Sequence, residues 1–498
     1  MLNLKSVITQ LKPKEYLKFC AGLEENNANN YLKLVEVYRN SDENPMSDEG
    51  IRNQMELSST AFHTMKSRLY DKLQYFLYLQ FEGPGEELRL KLDALPKLIY
   101  TSKIHPHIAM AIMEHMAVVL EERSMPHELI KVYDALRRMH LQSPKYYDYS
   151  RSYNRQMAYS VALDKAYSLT LEFSRKLGEF SLSHDPETGE FVRTLRQEIK
   201  NLSRVYDSHR LRYYERLTEI SYTLFFPLKD HREEEEAVDD MLKECKTLPE
   251  KHPNDPLYEA SQPLVSYLSF EFYRLHKLHS KAQKKLDELQ ENVLDLPRLT
   301  SLGCTSFFFM SKLQWYKSQG MLRQLPRENN QLQRDGWDPE LLDHITYAHY
   351  MIYMAATEYF NGKYVHAVKH LNNLQQNVMF RNMMHAEIEV KAFTILCLCM
   401  ARNFAEAKDQ IKSLATKLRN HNLTKRYAHV VVLMKFFRIA IKRTMVKTRY
   451  STIKLVEYRD QFIKQNQTVD AVLPYVNWED EYIMKRITMS TKQTVNRL

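Results

Sequence analysis

The residues best suited to bind a charged ligand lie in one basic stretch, residues 412–464. The stretch holds fourteen Lys and Arg residues against two acidic ones, Glu457 and Asp460, which leaves a net charge of +12. If it is helical, four of the cations fall within about 60° of one another: Lys435, Arg438, Lys442 and Arg449. Beside them runs an apolar stripe formed by Val431, Met434, Ile441 and Met445. Such a stripe is either a solvated outer face or a docking surface for an acidic peptide, a chain carboxylate or nucleic acid.

A second candidate binding segment, residues 48–69, has the spacing of a helix-turn-helix, and Ser58 or Ser59 could cap its second helix. If the segment reads DNA, its recognition helix begins with five residues: Ser59, Thr60, His63, Thr64 and Lys66. Its charge argues against this, because residues 48–72 carry four acidic and four basic side chains. Phosphate binding depends on net positive charge. The sequence therefore favours a structural helical module over a DNA reader.

Sequence patterns typical of enzymes are missing from the chain. There is no GxGxxG, P-loop, HExxH or GxSxG pattern. Ser451 and Lys454 match the SxxK pattern of a nucleophilic serine, but the accompanying motifs are missing and chance explains the match. His105, His107 and His115 do not form a convincing ligand set. We therefore expect a protein that is not an enzyme and that has no cofactor or metal site.

The composition predicts an all-α protein. Ten glycines in 498 residues is about 2%, against a usual ~7%. Hairpin turns and phosphate-binding loops need glycine, whereas the plentiful Leu, Lys, Glu, Met and Gln lose little side-chain freedom in a helix. The N-terminus lacks the apolar segment of a signal peptide, and the longest apolar runs are too short to span a membrane. We expect a cytoplasmic protein.

A repeated helical pattern organises the second half of the chain. Two stripes with spacings of 3, 4 and 3 each follow a short turn: Tyr364, Ala367, Leu371 and Leu374, then Phe404, Ala407, Ile411 and Leu414. Earlier instances carry Ala282 and Ala237 at the second place, and a degenerate unit carries Leu325 there. Two antiparallel helices approach most closely near their turn, so a small side chain is needed at that place.

The turn-aromatic-x-x-Ala-x-x-x-Leu/Ile-x-x-Leu signature resembles the helical hairpins of tetratricopeptide-like repeat proteins. The units run 40–45 residues instead of about 34, so the chain is similar to a divergent form, including uncharacterised bacterial helical-repeat proteins. The resemblance implies a right-handed α-solenoid of antiparallel hairpins and an interaction role, without a reaction.

Four regions follow from these patterns. We expect an N-terminal helical module over residues 1–85, a long-helix region over 86–205, tetratricopeptide-like repeats over 206–466 and a capping tail over 467–498. The predicted function is a protein–protein interaction scaffold that binds a protein or peptide partner, acidic in character, on a concave surface with the basic stripe. The alternative is a transcriptional regulator in which the N-terminal module binds DNA and the repeats form a sensor domain.

Overall fold

The computed structural model describes residues 4–11, 13–25, 28–39, 48–55, 57–79, 92–96, 105–226, 232–253, 255–290, 305–334, 337–445 and 449–488. Throughout these ranges the regular elements are helices and no strand occurs, which confirms the all-α prediction. The chain divides into two compact units. The first contains residues 1–122 and 128–153, and the second contains residues 123–127 and 154–498.

The first half of the chain begins with five short-to-medium helices: α1 (Leu4–Gln10), α2 (Pro13–Glu25), α3 (Asn29–Arg39), α4 (Asp48–Gln54) and α5 (Ser59–Leu79). Helix α3 packs against both α1 and α2. Ile8 of α1, Leu34 of α3 and Leu69 of α5 are fully buried in one hydrophobic core. Arg39 donates hydrogen bonds to the carbonyls of Ile8, Thr9 and Leu11 at 3.1, 2.7 and 2.9 Å. Those are carbonyls at the end of α1 that have no partner within that helix. Three longer helices follow: α6 (Pro106–Glu122), α7 (Pro126–Met139) and α8 (Lys145–Ser183).

The second unit continues as a series of helices that pack on their neighbours in chain order. They are α9 (Pro186–Val205), α10 (His209–Phe225), α11 (Arg232–Lys251), α12 (Pro256–Leu275), α13 (His279–Gln290), α14 (Phe308–Ser318), α15 (Leu325–Arg334), α16 (His344–Phe360), α17 (Tyr364–Asn377), α18 (Met384–Ala401), α19 (Phe404–Asn420), α20 (Ala428–Met445), α21 (Arg449–Gln465) and α22 (Glu481–Thr488). The helices of three predicted hairpins pack together, α12 with α13, α16 with α17, and α18 with α19, and so do α10 with α11 and α20 with α21. Because turns of two or three residues join the helices of the first three pairs, those helices run antiparallel.

Four of the turns inside hairpins share one backbone geometry, which the turn after α19, centred on Asn422, also has. Their central residues, Lys277, Gly320, Gly362 and Arg402, have φ between 56° and 76°, the left-handed region. In each turn, the residue after the centre donates its N–H to the carbonyl five residues earlier, for example Leu278 to Tyr273 and Asn403 to Leu398. This pair of features is the standard way to end a helix and reverse the chain. It occurs at Gly320 too, so the degenerate unit turns as the others do.

The repeated alanines lie at the buried contacts that the sequence predicted. Ala282, Ala367 and Ala407 have no exposed surface, and neither does Leu325 at the same place in the degenerate unit. The leucine and isoleucine positions of the stripes are buried as well. Ala237 lies in α11, but its side chain is outside the described part of the structure.

One expectation about helix geometry was wrong. Residues 192–226 contain no Pro or Gly and were expected to form one long helix or two colinear ones. Instead Tyr206 is extended, with φ −121° and ψ 125°, and Ser208 caps α10 by accepting from the Leu211 N–H at 3.4 Å. Helices α9 and α10 then pack against each other. A serine cap and one extended residue were enough to reverse the chain without glycine.

The segment after α21 contacts several helices. Residues 466–480 are largely irregular and lead into α22, and Val472, Leu473 and Ile487 are fully buried. The Trp478 ring packs on Phe462 at 5.0 Å, and Lys317 of α14 donates to the Tyr475 carbonyl. The segment therefore contacts α14 as well as α21.

Among the residues described, none of the helices combines the length and the apolar character that a bilayer span requires.

Candidate functional site

Helix α20 exposes a narrow face that is basic. Lys435, Arg438 and Lys442 point into solvent, whereas most of the remaining side chains of this helix are buried, with Phe437 and Ala440 fully so. Burial on nearly all sides fixes the helix in place, so the three cations have a fixed spacing along one line. The sequence predicted this grouping. The prediction was wrong in placing Arg449 on the same helix: it begins the next helix, α21, after α20 ends at Met445, and the described part of the structure does not include its side chain.

Within the part of the chain that the structure describes, no carboxylate pairs with these three cations. Lys435 Nζ lies over the Tyr458 ring, 5.9 Å from its centroid. By contrast, two basic residues of α21 are paired: Lys454 lies 2.8 Å from Glu457, and Arg459 lies 2.7 Å from Asp460. The exposed face of α20 therefore carries uncompensated positive charge.

The apolar stripe expected beside the cations is part of the core. Met434 and Ile441 are 3% and 1% exposed, so they cannot line an open groove. Val431 is half-buried, and the side chain of Met445 is outside the described part. The physical reason is that α18, α19, α21 and α22 all pack on α20 and cover its apolar sides.

The candidate DNA-reading residues do share the start of one helix. Ser59 begins α5, and Ser59, Thr60, His63 and Thr64 are exposed. Ser58 supplies the cap, because its hydroxyl accepts from the Ala61 N–H at 3.2 Å. Lys66, the one cation among the candidates, lies 2.6 Å from Asp48. That pairing removes the positive charge that phosphate binding would use.

A cluster of polar side chains that sequence reasoning missed lies elsewhere in the second unit. His184 follows α8, His385 is the second residue of α18, and Asp470 lies between α21 and α22. The two imidazole rings stack with centroids 3.6 Å apart and planes 10° apart. His184 Nδ1 lies 3.2 Å from Asp470 Oδ1. Each of the three residues offers one ligand atom within 4.8 Å of the others.

Further polar groups hold this cluster in place. Arg426 donates to both carboxylate oxygens of Asp470, at 2.7 and 2.9 Å, and to the His184 carbonyl at 2.6 Å. His429 contacts the Asp470 carbonyl at 2.9 Å, and the Tyr427 hydroxyl lies 3.2 Å from His385 Nδ1. Burial raises the pKa of Asp470, but the hydrogen bonds from His184 and Arg426 outweigh burial and hold this pKa well below its usual range. The cluster thus has a permanently ionised carboxylate.

A buried carboxyl group lies next to His385. Glu389 Oε2 is 4.0 Å from His385 Nε2, and Glu389 Oε1 accepts from the Leu473 N–H at 3.2 Å. Burial raises the pKa of Glu389 to about 7. Burial and the neighbouring His184 ring lower the pKa of His385 well below its usual value. The segment after α21 is therefore attached to α18 through the Leu473 N–H, while Asp470 attaches it to His184 and Arg426.

A second stacked pair of histidines has related surroundings. His209 and His252 stack at 3.7 Å with planes 10° apart, and Arg210 donates to both oxygens of Asp255. The Tyr258 hydroxyl lies 2.6 Å from His209 Nδ1, and Asp255 Oδ2 is 4.0 Å from the same nitrogen. Burial, followed by the neighbouring His252, lowers the pKa of His209 to about 4. Here the tyrosine, and not the carboxylate, holds the histidine nitrogen.

No local sequence signal could have found the first cluster. His184 and Asp470 are 286 positions apart, and neither belongs to a motif with metal-ligand spacing. The packing of the helices brings them together. The second pair has a weak sequence signal, since His252 and Asp255 lie close together just before the helix that begins at Pro256.

Comparison with known proteins gives no relative: no family model matches the chain, and no curated protein and no solved structure is significantly similar to it.

Proposed function

We propose that residues 206–466 form a right-handed α-solenoid of tetratricopeptide-like hairpins that serves as a protein–protein interaction scaffold. Its partner is a protein or peptide with an acidic segment, which docks on the exposed face of α20. The scaffold does not catalyse a reaction. Binding uses preformed helices and needs little rearrangement.

The repeated turns support the solenoid. Lys277, Gly320, Gly362 and Arg402 recur at similar intervals with the same left-handed geometry and the same hydrogen bond. First helices of successive hairpins also touch: α10 with α12, α12 with α14, α14 with α16, and α18 with α20. In a solenoid, each repeat packs on its neighbours in this way.

The basic face of α20 is the observation on which the docking surface rests. Holding Lys435, Arg438 and Lys442 side by side costs electrostatic repulsion, and no described acid offsets it. An acidic segment with carboxylates at helical spacing would match all three cations. We place docking here and not on α18, because residues of the segment after α21 cover part of that helix, as the contact of Tyr475 with Phe393 shows.

The test is binding of a short fluorescein-labelled oligoglutamate peptide, followed by fluorescence anisotropy at increasing salt. The double variant Lys435→Glu with Arg438→Glu should weaken binding about tenfold or more, since both changes replace attraction by repulsion. The matched control is Lys408→Glu with Lys412→Glu, an equal change of charge at two exposed positions of α19. This control should bind nearly as the parent chain does.

Equal weakening by both double variants would mean that only net charge matters, and the docking surface would be abandoned. Circular dichroism checks that each variant folds. Labelled duplex DNA serves as the competing probe. Tight, salt-sensitive binding of DNA that survives both double variants would favour the alternative, a regulator whose N-terminal module binds DNA.

A further inference from the structure

We propose that His184, His385 and Asp470 bind a divalent transition-metal ion of the Zn²⁺ type, with one ring nitrogen from each histidine and one carboxylate oxygen. Two imidazoles and a carboxylate are donors that such ions prefer, and they leave a fourth position for water or another group. The site lies apart from the basic face of α20 and does not depend on the scaffold function.

The distances suit a shared ion. Zn²⁺ binds nitrogen and oxygen at about 2.0–2.2 Å, so two ligands of a tetrahedral site lie roughly 3.3 Å apart. His184 Nδ1 and Asp470 Oδ1 are 3.2 Å apart, which is close to this value. All three ligand atoms lie within 4.8 Å of one another. Because a metal lies in the plane of each imidazole that binds it, one ring must turn out of the stack to complete the site.

The surrounding groups resemble the outer shell of a metal site. A carboxylate that ligates a metal is itself held by hydrogen bonds, and a ligating histidine has its second nitrogen near a carboxylate or carbonyl. Arg426 holds Asp470 through both oxygens, which still leaves lone pairs on Oδ1, and Glu389 Oε2 lies 4.0 Å from His385 Nε2.

The second histidine pair provides an internal contrast. His209 and His252 stack with nearly the same geometry, and Arg210 holds Asp255 as Arg426 holds Asp470. Each pair also has a tyrosine hydroxyl near one Nδ1, Tyr258 in the second and Tyr427 in the first. The difference is the carboxylate, because Asp255 stands 4.0 Å from His209 Nδ1, whereas Asp470 stands 3.2 Å from His184 Nδ1. In the described part of the chain, the first cluster is the one whose three ligand atoms come together.

A bound ion would fasten three distant parts of the second unit. His184 terminates α8, His385 begins α18, and Asp470 belongs to the segment after α21. The ion would hold that segment against the helices in addition to its apolar contacts. Its role would be structural, and its removal should loosen the segment.

The experiment uses the full chain without a histidine tag, freed of metal by dialysis against a chelator, and titrates it with Co²⁺. We expect one Co²⁺ per chain with visible d–d absorption, and Zn²⁺ should displace it. His385→Gln and Asp470→Asn should each weaken Co²⁺ binding about a hundredfold. His252→Gln, which changes the other stacked pair, should leave binding unchanged.

A second measurement is thermal unfolding with and without Zn²⁺. The parent chain should melt higher with Zn²⁺, and the shift should disappear in His184→Gln, a substitution at a partly exposed side chain that the fold tolerates more easily than one at His385. Two results would overturn the proposal: no saturable Co²⁺ binding by the parent chain, or equal binding by the His385→Gln and His252→Gln variants. Either would leave the cluster as a hydrogen-bonded proton network.

Discussion

Single buried histidines make the stability of this protein depend on pH, and His349 of α16 is the clearest case. Its side chain is almost wholly inside the core, where Phe307 packs edge-on against the ring at 4.9 Å. Ser181 donates its hydroxyl proton to the Gly178 carbonyl at 2.7 Å, so its oxygen accepts from His349 Nε2 at 3.0 Å. Burial lowers the pKa of His349 to about 4, although Asp343 opposes the shift.

The direction of the pH effect follows from this shift. Below about pH 6.5, the unfolded chain takes up a proton at His349 that the folded chain cannot accept until about pH 4. The free energy of unfolding should therefore fall as pH is lowered through this window, by on the order of 3 kcal/mol from this group alone. We predict that urea denaturation of His349→Gln at pH 7 and pH 4.5 shows a smaller loss than the parent chain does. Parallel losses in the two proteins would contradict the assignment.

At the scale of single residues, the sequence predicts those features that depend on spacing along one helix. The buried alanines and the grouping of Lys435, Arg438 and Lys442 follow from helical periodicity, and the structure places them as predicted. His184, His385 and Asp470 could not be predicted, because their proximity depends on how distant helices pack. The pairing of Lys66 with Asp48 also joins two helices and has no signal in the sequence.

At the scale of the helix, the turn between α16 and α17 offers a clean measurement of backbone strain. Gly362 has φ 76°, and a Cβ added there would meet nothing within 4 Å. Gly362→Ala should therefore destabilise the protein only through its backbone conformation, by about 1 kcal/mol. Urea denaturation would measure the change.

The control is the same substitution in an ordinary helix. Gly22 lies inside α2, and an added Cβ there also meets nothing within 4 Å. Gly22→Ala should stabilise the first unit by up to about 1 kcal/mol, because alanine favours helix over glycine. Changes of the same sign at the two positions would show that the left-handed turn at Gly362 is not present in solution.

The helices and their hairpin turns could be predicted more easily than the backbone conformation of the turn residues. Helical stripes predicted the turns around Lys277 and Arg402. The scarcity of glycine hid the left-handed conformation of these two residues, which a side chain other than glycine accepts. It also hid the break at Tyr206, because an extended residue before a serine cap leaves no mark in composition.

At the scale of the whole molecule, the segment after α21 completes the core of the second unit. Trp478 is 7% exposed and packs against Phe436, Phe437 and Phe462. We predict that Trp478→Ala lowers the free energy of unfolding by about 3–5 kcal/mol and speeds proteolytic cleavage within residues 466–480. Tyr450→Ala, at a ring that is 68% exposed, should change stability by less than about 0.5 kcal/mol. If Trp478→Ala behaves like Tyr450→Ala, the segment is not packed in solution.

The position of this segment in the chain has a consequence for synthesis. The ribosome makes Phe393 and Phe436 before it makes Tyr475 and Trp478, which cover them. During that interval the nascent chain displays an aromatic surface that the finished protein seals. A chain stalled just before residue 466 should therefore recruit chaperones that the completed chain no longer attracts.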